Sequence, residues 1–88
     1  MMSFGITIEQ YTYAAEVIYY CQWKEFYDFF VEKENGIETG KRYFYKPEVL
    51  KELVDYLECS GNPHLEEWVG YLKEELESPD EMYMVWFG

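Results

Sequence analysis

A handful of interruptions decide how this chain can be divided. Asn35-Gly36, Pro47, Ser60-Gly61, Asn62-Pro63 and Ser78-Pro79 each stop or start a helix. Glycine and asparagine accept the left-handed conformation that closes a helix, while proline lacks the N–H of a helix interior yet suits the first turn. The stretches they leave predict one long helix and two short ones. Thr7-Ile8-Glu9-Gln10 reads as a capping box, Thr7 at the N-cap and Gln10 at N3, opening a helix over 8–33. At ~100° per residue, Ile8, Tyr11, Ala15, Ile18, Tyr19, Trp23, Phe26, Phe29 and Phe30 share its core-facing side. A second stripe follows Tyr13, Val17, Tyr20, Tyr27 and Val31, with Lys24 in the gap and the three tyrosines seven apart. One apolar stripe suffices for a surface helix. The second reads either as a contact within the fold or as a Tyr-rich interface, of which a homodimer through helix 8–33 is the simplest form.

Beyond the connector, Pro47 opens helix two over 47–59, with Val49, Leu50, Leu53, Val54 and Leu57 inward and Glu48, Glu52, Asp55 and Glu58 outward. Asn62-Pro63 opens helix three over 63–77, burying Leu65, Trp68, Val69, Leu72 and Leu76 and exposing Glu66, Glu67, Glu74 and Glu77. Met82 to Phe87 are six consecutive apolar residues rich in strand formers, a hazard if exposed. They are expected to be buried in the fold or in a partner, either pairing with the strand-like 42–45 segment in a small sheet or covering the helical core as an extended tail. The fold class is therefore mainly α with a minor β element (α+β): one long helix, two acidic ones and short strands near 42–45 and 82–87.

Size and charge then narrow the function. At 88 residues the chain has room for one small domain spanning 1–88, and 49% hydrophobic content argues against disorder. Runs of 18 apolar residues are absent, and no charged segment followed by an apolar one opens the chain, so neither a membrane span nor a secretory signal is read and a cytoplasmic location is expected. Seven basic against 18 acidic residues give −11. Residues 1–46 hold seven acids and five bases, a net of −2; residues 47–88 hold eleven acids against Lys51 and Lys73, a net of −9. Such asymmetry reports a partner or a field rather than a fold.

Chemistry is sparse. His64 and Glu67 stand three apart, but metal-carboxylate bundles need a second such histidine. Cys21 and Cys59 have no neighbouring base and are too far apart for a zinc knuckle. Gly36 and Gly40 match no phosphate loop, and residues 78–81 lack an EF-hand pattern. No catalytic residue, metal or cofactor is expected, and the chain reads as a non-enzyme. Lys41-Arg42-Tyr43-Phe44-Tyr45-Lys46 interleaves basic and aromatic residues as single-strand binders do. The overall charge repels a polyanion, so the segment reads as a strand with tyrosines in the core and no direct nucleic-acid contact.

The acidic helices are the strongest signal. Glu48/Glu52 at i,i+4 and Glu52/Asp55 and Asp55/Glu58 at i,i+3 place like charges ~5–6 Å apart, costing a few tenths of a kcal/mol per pair. That spacing is comparable to phosphates along a nucleic-acid strand. Besides solvating an aromatic protein, such a row suits a basic surface. In size and acidity the chain resembles the phage-encoded nucleic-acid mimics that block restriction or CRISPR nucleases, and to a lesser degree the immunity proteins of bacteriocin nucleases. The resemblance is compositional and carries over no functional residues. It implies a non-enzymatic anti-restriction, anti-CRISPR or immunity-type inhibitor or decoy for a basic, nucleic-acid-binding protein. The alternative is a small helical homodimeric adaptor whose acidity is solvating.

Overall fold

The computed structural model describes residues 5–10, 17–21 and 23–88, with the backbone alone for residue 10 and residues 17–21. In chain order the elements are β1 (Ile6–Gln10), β2 (Val17–Cys21), α1 (Lys24–Glu34), β3 (Arg42–Tyr45), α2 (Pro47–Cys59), a 3-10 turn (Pro63–Leu65), α3 (Glu66–Glu77) and β4 (Tyr83–Phe87). Three helices and an antiparallel sheet make an α+β fold. Strand order is β2-β1-β4-β3, so the last strand in sequence lies between the first and third.

The long helix over 8–33 is not present; the first helix begins at Lys24. Ile6-Thr7-Ile8 alternates with period two, and Val17-Ile18-Tyr19-Tyr20 is a run of β-branched and aromatic residues. Both stretches are strands, antiparallel to each other from Ile6↔Cys21 to Glu9↔Val17, with an irregularity after Ile8. The decisive partner is remote: β1 also pairs with β4 from Ile6↔Phe87 to Gln10↔Tyr83. Gly5 and Gly88 exchange backbone hydrogen bonds of 2.7 and 3.0 Å. Thr7–Gln10 therefore lies within a strand and does not cap a helix.

The remaining boundaries follow the interruptions. Asn35 closes α1 with φ 55°, its N–H bonded to the Val31 carbonyl. Pro47 occupies the first turn of α2, and Asn62 caps the 3-10 turn by accepting the His64 N–H at 3.0 Å. Of the two arrangements open to the terminal apolar segment the structure has the sheet: 42–45 is a strand paired with it, from Arg42↔Trp86 to Tyr45↔Tyr83.

Strand alternation separates two sheet faces. Ile6, Ile8, Tyr43, Tyr45, Tyr83, Val85 and Phe87 form one buried cluster with Phe26, Phe29 and Phe30 of α1, Leu50, Leu53, Val54 and Leu57 of α2, and Leu65, Val69 and Leu72 near and along α3. Edge-to-face contacts of Phe30 and Tyr43 with Phe87, at 5.8 and 6.2 Å, knit α1 and β3 to the central strand. The helices therefore cover one face. On the other lie Thr7, Glu9, Arg42, Phe44, Met84 and Trp86.

Candidate functional site

The eight acidic residues singled out in the sequence, Glu48, Glu52, Asp55, Glu58, Glu66, Glu67, Glu74 and Glu77, are all exposed. At ~100° per residue Glu48, Glu52 and Asp55 form a ridge along α2 on the side opposite buried Leu50, Leu53 and Leu57. The fold does not gather all eight into one row. Glu52 leans towards α1, where Lys33 reaches it at 2.8 Å. Asp55, Glu58 and Glu77 border a groove between α2 and α3 that also holds Lys51 and Lys73. Glu67 accepts the Tyr71 hydroxyl at 2.7 Å, a bond that raises the exposed phenol's pKa.

Partial neutralisation is visible in two places: Lys33–Glu52 and Lys73–Glu58, both 2.8 Å and both reaching solvent. Pairs of this kind contribute ~1 kcal/mol or less. Among the described residues, Glu48, Asp55, Glu66, Glu74 and Glu77 have no lysine or arginine within ion-pair distance. Two helices of one hairpin thus carry a concentrated negative field on the side away from the sheet.

The second aromatic stripe has no continuous helix on which to form. Val17 and Tyr20 belong to β2, Tyr27 and Val31 to α1, and Tyr13 lies outside the described residues. Tyr27 is half-buried and meets the Phe87 ring edge-on at 5.8 Å. A homodimer through one helix spanning 8–33 loses the element it was drawn on.

What the sequence reading passed over is the sheet face that none of the described helices covers. Phe44 is 50% exposed there. Beside it, the Arg42 guanidinium sits 4.6 Å from the Trp86 ring centroid, and Trp86 Nε1–H donates to Glu9 at 3.1 Å. Strict alternation in 42–45 was the available signal: once Tyr43 and Tyr45 enter the core, Arg42 and Phe44 must face the other way.

Other polar features are structural in placement. His64 stacks on Trp23, rings 10° apart and centroids 6.1 Å apart, docking the α2–α3 connection onto the start of α1. Asn62 Nδ2–H adds a 3.0 Å bond to Glu25. Fully buried Tyr83 accepts the Asp80 N–H at 2.8 Å and donates to Glu75 at 2.9 Å. Burial pushes this phenol up to about 12; the Asp80 amide opposes the shift and the Glu75 carboxylate reinforces it. Tyr45, donating to Glu34 at 2.8 Å, is raised further, again chiefly by burial. Among the described residues no group of three His, Cys, Asp or Glu is placed to hold a metal ion. In the same set, no helix is long and apolar enough to cross a membrane. Compared with known families, curated proteins and solved structures, the chain matches none.

Proposed function

We propose that this chain is a non-enzymatic, cytoplasmic protein-binding inhibitor or decoy that occupies the nucleic-acid-binding surface of a basic protein such as a nuclease. The observation that carries the reading is the exposed ridge Glu48-Glu52-Asp55 on α2, which lies with the exposed acids of α3 in a segment of net charge −9. Like charges one turn apart weaken the helix that bears them. A partner presenting arginines and lysines at phosphate spacing offsets that repulsion and gains affinity from it.

The test begins with the immobilised full chain and a bacterial lysate, and proceeds with whatever basic protein is retained. A short DNA or RNA duplex should compete for that protein, and affinity should fall at least ~10-fold between ~50 and ~300 mM salt as screening shortens the field. Glu52→Lys with Asp55→Lys should abolish capture. Binding that ignores both salt and charge reversal, or that coexists with bound nucleic acid, sinks the decoy reading.

A second reading, a small homodimeric adaptor, draws support from the sheet face that the described helices leave uncovered, with its half-exposed Phe44. Such a dimer would leave the acidic helices outermost, where their mutual repulsion is least. Sedimentation equilibrium separates the two: a salt-insensitive dimer that Phe44→Ser converts to monomer favours the adaptor.

A further inference from the structure

Gly70 is a residue its own helix would be better without. It lies inside α3, exposed, and a Cβ built on it meets nothing within 4 Å. Glycine in a helix interior destabilises the helix relative to alanine. Neither positive φ nor a close approach within the described fold requires it here.

What Gly70 opens onto is a groove of about 500 Å³ between the end of α2 and the start of α3. Leu57 and Val69 supply an apolar floor, and Glu58 and Glu66 bring two carboxylates to the same groove. Lys73 already shows how a cation sits there, with its ammonium 2.8 Å from Glu58. Apolar floor, paired carboxylates and bare backbone together match a long side chain with an aliphatic stem and a delocalised cationic head. A guanidinium suits this better than an ammonium, because its planar fork can satisfy two carboxylates at once.

Resting on the basic-partner reading above, we propose that this groove seats an arginine side chain of the partner. Its head lies between Glu58 and Glu66, its stem on Leu57 and Val69, and the backbone that carries it passes over Gly70. Lys73 is an internal stand-in, displaced from Glu58 when the arginine enters.

The experiment is a titration of the ¹⁵N-labelled full chain with acetyl-Arg-Leu-Arg-amide, read by amide shifts. Shifts should concentrate at Gly61, Gly70 and Lys73. Lys73→Met, by freeing Glu58, should tighten the peptide several-fold. Gly70→Leu should raise Tm by about 2–8 °C, since the added side chain enters open space on a helix, yet weaken the peptide by about tenfold or more. Unchanged affinity in Gly70→Leu overturns the proposal, as do shifts centred on Glu48 to Asp55. A lowered Tm in that variant contradicts the open space and overturns it too. The decoy reading fails separately. Groove shifts in a chain that holds no nucleic-acid-binding protein leave the arginine seat and remove the decoy. Salt-sensitive capture of such a protein by Gly70→Leu at full strength does the reverse.

Discussion

Tyr83→Phe tests the most deeply placed polar contact in the molecule. The phenol ring is fully buried, and its oxygen is the acceptor for the N–H of Asp80, itself only 3% exposed. Removing the hydroxyl deletes this buried hydrogen bond, a loss of about 1–3 kcal/mol. The bond to Glu75 adds less, because the half-buried carboxylate can turn to water. A net cost near 2 kcal/mol corresponds to a Tm lowered by roughly 8–16 °C in a chain of this size. Urea unfolding followed by far-UV circular dichroism should show a lower midpoint with an unchanged slope. The comparison has a second arm in pH. Burial pushes the folded phenol up to about 12 from its ordinary value of 10.0, so the folded state holds this proton more tightly. That stabilisation is complete below pH 10 and is lost as pH rises towards and through 12, about 2 kcal/mol over the window. The Tyr83→Phe variant, with no phenol to titrate at this position, has no such limb. Tyr45 is raised in both proteins and cancels in the difference. The gap between wild type and variant should therefore narrow over this window. A gap below ~0.5 kcal/mol at neutral pH, well under the loss for a deleted buried hydrogen bond, or one that stays constant to pH 12, would refute this account of the hydroxyl.

Three further outcomes are expected. Leu53→Ala opens a cavity at a fully buried position and should cost ~2–5 kcal/mol, read as a shifted urea midpoint; a loss under ~1 kcal/mol contradicts the packing. Asn62→Ala removes both the cap on the 3-10 turn and the bond to Glu25, and should cost about 1–2 kcal/mol by thermal melting. Lys33→Met should leave stability within ~0.5 kcal/mol, because its pair with Glu52 reaches solvent; a larger loss would show that the acidic field depends on this lysine for folding.

The two acidic helices were legible because their signals are local, and 42–45 and 83–87 showed strand-forming content without settling whether they pair. Pro47 and Asn62-Pro63 mark helix starts with little ambiguity, and the 3.6-residue spacing of Leu50, Leu53, Val54 and Leu57 has no competing reading. The N-terminal segment was not, because Thr7-Ile8-Glu9-Gln10 satisfies a helix cap and a period-two strand alike. What settles it is β4, some eighty residues away, against which Ile6 and Ile8 find Phe87 and Val85. A pattern confined to residues 6–33 cannot register that partner. The same limit hid the pairing on the other sheet face: Arg42 and Trp86 are neighbours only after the strands meet. The acidic residues, by contrast, are exposed as expected, since charge placement on a surface helix depends on nothing remote.

Placing β4 in the middle of the sheet has a kinetic consequence. The α2–α3 hairpin is built from contacts close in sequence and can assemble early. The sheet cannot close until residues 83–87 return to pair with 6–10 on one side and 42–45 on the other. Before that step the β1–β2 hairpin and β3 each present an unpaired edge, while Tyr83, Val85 and Phe87 have no cover. Closure over so long a loop follows the local contacts and places the fold between helical bundles and all-β topologies in expected speed. In that interval the negative charge of α2 and α3 acts between molecules, holding unfinished chains apart while the last strand finds its slot.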